Sequence, residues 1–296
     1  MVAIKKATTI EQQISLLQER GMVIVDIEKA KEYLLDIGYY RLGFYWFPFE
    51  KTYPNLTLRN HYFNAGTTLE NAIKLYYFDF DVRNILQKYI SRIEINFRTK
   101  LIYYASNCYP ENSMWYVDST VLNESFLNGE KYQNTLLGLN IEPVIKRDIT
   151  IHNTQYAPAW KALEFMPFGT ILEIYRNLKN PKLKCDISLL YGISETSKFC
   201  TYMDAIRILR NYSAHGKVLF DLRLPKAIPD GVCGYMAENK TRFAGAYIVF
   251  KYFLGKVSPN RVLEMQEDMK RALNQVPDDI VTNIIEKKSG LKENKI

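Results

Sequence analysis

The sequence predicts an all-α fold on three observations: glycine and proline are sparse, one long stretch repeats its apolar residues at helical spacing, and the apolar content is high enough for a core. The 296 residues include only 14 glycines and 11 prolines, few for the tight turns of a sandwich or barrel. From Thr68 to about Asn107, Leu69, Ile73, Tyr76, Phe80, Ile90, Phe97 and Leu101 recur close to a 3.6-residue period, which predicts a helix of roughly ten turns. The chain is 47% hydrophobic and 14% aromatic, ample for burying a substantial core.

In chain order, two short helices are expected at about 9–20 and 26–37. Gly21 ends the first and Asp26 caps the second. GYYRLGFYWFPFE, residues 38–50, reads as an aromatic plug packed between helices, with Arg41 beside stacking rings as a possible contact to RNA bases. Within the long helix, Arg83 and Glu94 fall on the apolar stripe and must be paired, because unpartnered buried charge is costly. They read either as structural ion pairs or as charges that hold a catalytic group in place. Residues 108–156, rich in Asn, Ser, Thr and Asp, predict a loop-bearing insertion with short helices. Helix resumes over 158–180, where Pro167 and Gly169 break one helix and Thr170 starts the next. A connecting segment follows Pro181. After about residue 259 an amphipathic helix is expected on Val262, Met265, Met269 and Leu273, followed by a Lys/Glu-rich end that frays.

Composition narrows the function classes. No signal-like run opens the sequence, and the most apolar later stretch, Phe243 to Leu254, is short and interrupted by Lys251, so neither secretion nor membrane spanning is expected. The four cysteines, at 108, 185, 200 and 233, lack CxxC spacing, which fits a reducing cytoplasm. A net charge of +7 and a pI near 9.0 favour an anionic partner only moderately. No HxxxH and no grouped His/Cys ligands occur, and Asp79 and Asp81 point to different sides of one helix, so no metal site is expected.

The segment SETSKFCTYMDAIRILRNYSAHG, 194–216, carries the chemistry. Its apolar stripe is Phe199, Met203, Ile206 and Leu209, Ser194 reads as the N-cap, and Gly216 as the left-handed residue that stops the helix. At 100° per residue Arg210 falls about 20° from Phe199, on the packed side. It must therefore meet a carboxylate, line a wet cleft or lie at a subunit interface. His215 is five residues on, with Asn211 as its i+4 neighbour, so the three converge only through a long side chain or a helix that loosens at Gly216. A lone histidine at a helix end is more often a solvated residue held by the terminal dipole. Arg210 and Asn211 beside it change that reading.

Arg210 to His215 fits the R-x4-H motif of HEPN nucleases, including the polar residue that often follows the arginine. With GYYRL (38–42), LYYFDFDVRNIL (75–86), ISRIEINFRTKL (90–101), PAWKALEFMPFG (158–169) and LRNYSAH (209–215) in this order, the chain resembles the Abi family of bacterial abortive-infection proteins, the AbiD and AbiF group, over about residues 10–225. It departs after the histidine, where Gly216-Lys217 replace the more usual histidine, serine and arginine.

The resemblance implies a HEPN-like helical bundle: an N-terminal helical segment with the aromatic plug over 1–66, a core over 67–225 that includes the loop-rich insertion 108–156, and a C-terminal helical extension over 226–296. It implies a metal-independent endoribonuclease without cofactor, acting as a toxin or effector in anti-phage defence. Attack of a ribose 2′-OH on the adjacent phosphate needs a proton-transfer group and a cation on the developing charge. His215 would supply the first, Arg210 the second, and Asn211 would orient one of them, with Arg207 and Lys217 flanking the RNA. His61 and His152 lack the companion arginine and asparagine, so a second R-x4-H set is expected from a homodimer. An inhibitory RNA or protein antitoxin is expected as well. Two other readings stay open: a non-catalytic RNA-binding or regulatory module holding a structured RNA or protein partner, and a structural one in which Arg210 pairs with Glu94 and His215 is an exposed end residue.

Overall fold

Local signals set where the helices begin. Thr9 accepts from the Gln12 amide while the Gln12 side chain accepts from the Thr9 amide, a reciprocal cap that opens α1 (Ile10–Glu19). Asp26 caps α2 (Ile27–Asp36) through the Lys29 amide, and Gly21 takes a left-handed φ of 91° just past α1, as expected of both. The computed structural model describes residues 6–276 and 278–292. Among them the chain forms fourteen α-helices and four short 3-10 turns. Extended segments meet only in isolated bridges such as Val23 with Thr68, so the fold is all-α.

The chain divides into two compact units. The first takes the residues up to Ile85, Gly216–Leu222, and the stretch from Gln266 on. It holds α1, α2, α3 (Tyr39–Trp46), the first half of the 40-residue α4 (Leu69–Cys108), the end of α13 (Pro259–Asn274) and α14 (Asp279–Ser289). The aromatic segment is helical: α3 and a following 3-10 turn bury Leu42, Tyr45, Trp46 and Phe49, while Tyr40 and Phe44 stay exposed. Thr68 and Asn71 bond reciprocally at the start of α4. Asn71 and Lys74 also reach the carboxylate of Asp278, each at 2.9 Å, and the other Asp278 oxygen caps α14.

A buried polar knot ties residues 217–220 into this unit. Asp79, fully buried, accepts from the amides of Leu219 and Phe220 at 2.8–3.0 Å, from the Tyr45 hydroxyl at 3.0 Å and from Arg83 at 2.6 Å. Arg83 also donates to Tyr45 and to the carbonyl of Lys217. Burial raises the Asp79 carboxyl to about 6 against the opposing pull of Arg83 and the two amides.

The second unit takes Leu86–His215 and Arg223–Met265. Its core is a ring cluster: Phe199 lies 5.2–5.8 Å from Phe97, Tyr175, Tyr191 and Phe253, spacings at which offset and edge-on contacts are favourable. The insertion carries α5 (Glu124–Leu127), α6 (Glu130–Leu139) and α7 (Pro143–His152), separated by loops. Three local readings change. After α8 (Ala159–Ala162), α9 (Phe168–Asn177) starts two residues before Thr170, because Pro167 sits at the cap and Gly169 is tolerated inside the first turn. The segment after Pro181 is a helix, α10 (Pro181–Leu189), opened by the Asn180 side chain on the Leu183 amide with proline at the first turn. The cap of α11 (Thr196–Ala214) is Glu195, not Ser194.

The apolar stretch from Phe243 forms α12 (Phe243–Val257), and no described helix is long and apolar enough to cross a membrane. On α13, Met265 and Met269 are buried as the amphipathic pattern requires. The last part of the Lys/Glu-rich end, residues 293–296, lies outside the described residues.

Candidate functional site

Helix α11 presents the R-x4-H residues, and its sequence explains how. Phe199, Tyr202, Met203, Ile206 and Leu209 are fully buried and fix the helix's rotation. Ala214 is the last helical residue, His215 leaves the helix at φ −99°, and Gly216 turns left-handed at φ 61°. The stop expected at Gly216 is where the helix ends. His215 is exposed, and its amide still donates to the Asn211 carbonyl at 3.0 Å, which keeps the two residues on adjacent turns.

Arg210 is not swallowed by the stripe on which the helical wheel puts it. Its side chain is 40% exposed, and Nε lies 3.6 Å from the Glu94 carboxylate, beyond hydrogen-bond range. Glu94, on α4, is held more tightly by Arg98, whose Nη2 donates to it at 3.2 Å. Arg98 in turn donates to the carbonyls of Glu164 and Met166 at 3.1 and 3.0 Å. Glu94 thus bridges one anchored arginine and one loosely held arginine.

Among the described residues, neither Asn211 nor His215 makes a side-chain hydrogen bond, and the Nη groups of Arg210 make none. The end of α11 therefore carries an amide, an imidazole and an Arg210 Nη edge that make no hydrogen bond to protein among the described residues. Chemically, it offers a bidentate cation for an oxyanion, an amide, and an imidazole able to take or give a proton.

The flanking candidates differ. Arg207, in the second unit, is occupied: Asp204 holds it at 3.2–3.3 Å and pairs with Arg176 at 2.6 Å. Lys217, in the first unit, is exposed, and its carbonyl accepts from Arg83. Arg83 and Glu94 both find partners, as their place on the apolar stripe demands. Arg83 meets Asp79 in the first unit, and Glu94 meets Arg98 and Arg210 in the second.

Sequence reasoning missed two residues here: Arg98, which anchors Glu94, and Asp79, which neutralises Arg83. The signal was present in both cases. Asp79–Arg83 and Glu94–Arg98 are acid–base pairs at i,i+4, with the acid on the N-terminal side. Ser213, inside the motif, is buried with no hydrogen-bond partner for its hydroxyl, and nothing in the structure assigns it a role. Among the described residues no group of three or more His, Cys, Asp or Glu is placed to hold a metal ion.

Comparison with curated proteins and with solved structures gives no match. A family model described as Abi-like protein matches residues 32–221. The matched stretch is well over half of the chain and contains α4, α11 and every candidate residue named above. The chain belongs to the Abi-like protein family.

Proposed function

We propose that this protein is a HEPN-type, metal-independent endoribonuclease of the AbiD/AbiF group, acting as a toxin or effector in abortive infection. The observation that carries the reading is the set of uncommitted side chains at the end of α11: the Arg210 Nη edge, Asn211 and exposed His215.

In this reaction His215 accepts the proton of the ribose 2′-OH as that oxygen attacks the neighbouring phosphorus. The bond to the 5′-oxygen breaks, and that oxygen receives a proton from a second imidazole. The products are a 2′,3′-cyclic phosphate and a 5′-hydroxyl. Arg210 is held by Glu94 on its Nε side, which leaves its two-pronged edge for the phosphate oxygens on which negative charge builds. Asn211 orients the imidazole or the phosphate. The second imidazole comes from another copy of the chain, so the active species is a homodimer with two Arg210/His215 sets facing one cleft. Arg207 supplies flanking positive charge only if Asp204 releases it. A nuclease that harms its own cell needs an inhibitory RNA or protein.

One observation favours the structural reading, the approach of Arg210 to Glu94. Its 3.6 Å separation and the prior claim of Arg98 on the same carboxylate make it a weak tie. The test is cleavage of total cellular RNA in EDTA by wild type and His215→Ala, with product ends mapped. Cuts ending in cyclic phosphates that vanish in the variant are expected. RNA that co-purifies uncut with both proteins would replace the nuclease with a binding module.

A further inference from the structure

The first unit contains a concave site that the RNA-cleavage reading does not use. It is a cavity of about 770 Å³, within the range that holds small-molecule and nucleotide-sized ligands. Its walls are aromatic and cationic together: Tyr40, Phe44 and Phe47 face it with Arg20, Arg59 and His61. Tyr40 is 83% and Phe44 48% exposed, so the plug expected to pack inward leaves two of its rings on the cavity side. Ring faces beside guanidinium groups are what a nucleobase stacks on.

The charges decide what kind of ligand fits. The buried Glu50 carboxylate is gripped by Arg59 on both oxygens, at 2.8 and 2.6 Å, and that guanidinium stacks 4.3 Å from the centre of the Phe47 ring. Asp221, which does line the wall, accepts from the Tyr53 hydroxyl at 3.2 Å. Arg20 has no such match: its guanidinium donates only to the Tyr39 hydroxyl, at 3.1 Å, and meets no carboxylate among the described residues. Of the two guanidinium groups on this wall, that of Arg20 is therefore the one with no carboxylate against it among the described residues.

His61 adds an independent sign of a working site. It sits at φ 65°, in the left-handed region that non-glycine residues rarely adopt. Its ring nonetheless stays on the cavity wall, 3.6 Å from Glu50. Backbone strain of this kind collects at ligand sites, where the surrounding structure holds it in place.

We infer that this cavity binds one nucleotide unit, its base stacked on the exposed Tyr40 ring, which Phe44 buttresses edge-on at 5.4 Å, and its phosphate on Arg20 and His61. The unit is either a free mononucleotide or one nucleotide of a single-stranded RNA, and the inference stands whether or not Arg210 and His215 cut RNA.

The test is calorimetric titration of the full chain with AMP, UMP and inorganic phosphate, and of the His215→Ala chain with a short oligouridylate, which then stays intact. Binding of a mononucleotide, or of the oligonucleotide alone, is expected and tells which source the cavity accepts. Inorganic phosphate should bind at least about fivefold more weakly than AMP, the least that stacking of a base contributes. Arg20→Gln should weaken binding about tenfold or more. Tyr40→Ala, at a side chain too exposed for its loss to unfold the protein, should weaken it severalfold. The inference is overturned if no nucleotide or oligonucleotide binds, if phosphate binds as tightly as AMP, or if both variants bind like wild type. A chain that never cuts RNA leaves each of these titrations readable.

Discussion

Replacing Arg210 and Arg98 separately by alanine tests whether Arg210 is held for chemistry or for stability. Both arginines share Glu94, but their surroundings differ. The Arg98 side chain is 11% exposed and bonds to Glu94 and to two backbone carbonyls. Its removal leaves a carboxylate that is itself 16% exposed with only the 3.6 Å approach of Arg210, and takes the donor from the part-buried Met166 carbonyl. Breaking a mostly buried, hydrogen-bonded pair of this kind costs about 2–4 kcal/mol. Arg210 is 40% exposed, makes no hydrogen bond, and leaves Glu94 still neutralised by Arg98 when it goes. Its loss should cost no more than ~1 kcal/mol, the range of solvent-exposed ion pairs.

Urea unfolding followed by far-ultraviolet circular dichroism reads both quantities, and RNA cleavage is measured on the same samples at a temperature where all are folded. Arg210→Ala should keep wild-type stability within that margin and lose cleavage by about a hundredfold or more, the scale of losing a preorganised oxyanion donor. Arg98→Ala should be clearly destabilised. If Arg210→Ala is as destabilised as Arg98→Ala, Arg210 is a structural partner of Glu94 and the assignment of a free phosphate-binding edge is wrong.

Three further outcomes are expected. His215→Ala removes an exposed side chain without hydrogen bonds, so the thermal midpoint should stay close to wild type while cleavage is lost; a large fall in stability would assign the imidazole a packing role instead. Gly216→Ala puts a Cβ at φ 61° and 3.4 Å from the Arg41 guanidinium, which donates to the Gly216 carbonyl; about 1 kcal/mol of stability should be lost, and less with Gly216→Asn. The Asp79 carboxyl is raised from its ordinary 3.8 to about 6 by burial, so the folded state binds the proton more tightly than the unfolded one. Its contribution to stability is then fully present below about pH 4 and is lost as pH rises through 6. The stability difference between wild type and Asp79→Asn, which carries no titrating proton, should fall over that window. A difference that grows with pH would mean that Arg83 and the two amides outweigh burial.

Several helix ends were legible where local chemistry sets them. Asp26, Gly21 and Gly216 act through atoms within a few residues of themselves, and the end of α1, the start of α2 and the end of α11 follow. α10 was missed although Asn180-Pro181 is a cap followed by a first-turn proline, because the helix has little amphipathic contrast to mark it. α9 began early because Pro167 serves as its cap rather than as a break. The candidate site was legible as a motif. Its exposure was not: a helical wheel puts Arg210 on the packed face, where its side chain is nonetheless 40% exposed.

By itself the sequence determined the helical class, the spacing that puts Arg210, Asn211 and His215 at one helix end, and the need for partners at Arg83 and Glu94. Those follow from periodicity, capping and the cost of buried charge, all of which act over a few residues or on any core whatever its shape. Which partners answer that need was decided by tertiary structure. The amides that hold Asp79 lie 140 and 141 residues away at Leu219 and Phe220, and the carbonyls that anchor Arg98 lie 66 and 68 residues away. The grouping of residues 216–222 and those from 266 on with the first 85 is of the same kind. A carboxylate or guanidinium takes whichever donors or acceptors the packed backbone brings within about 3 Å, and that meeting depends on how distant helices stack.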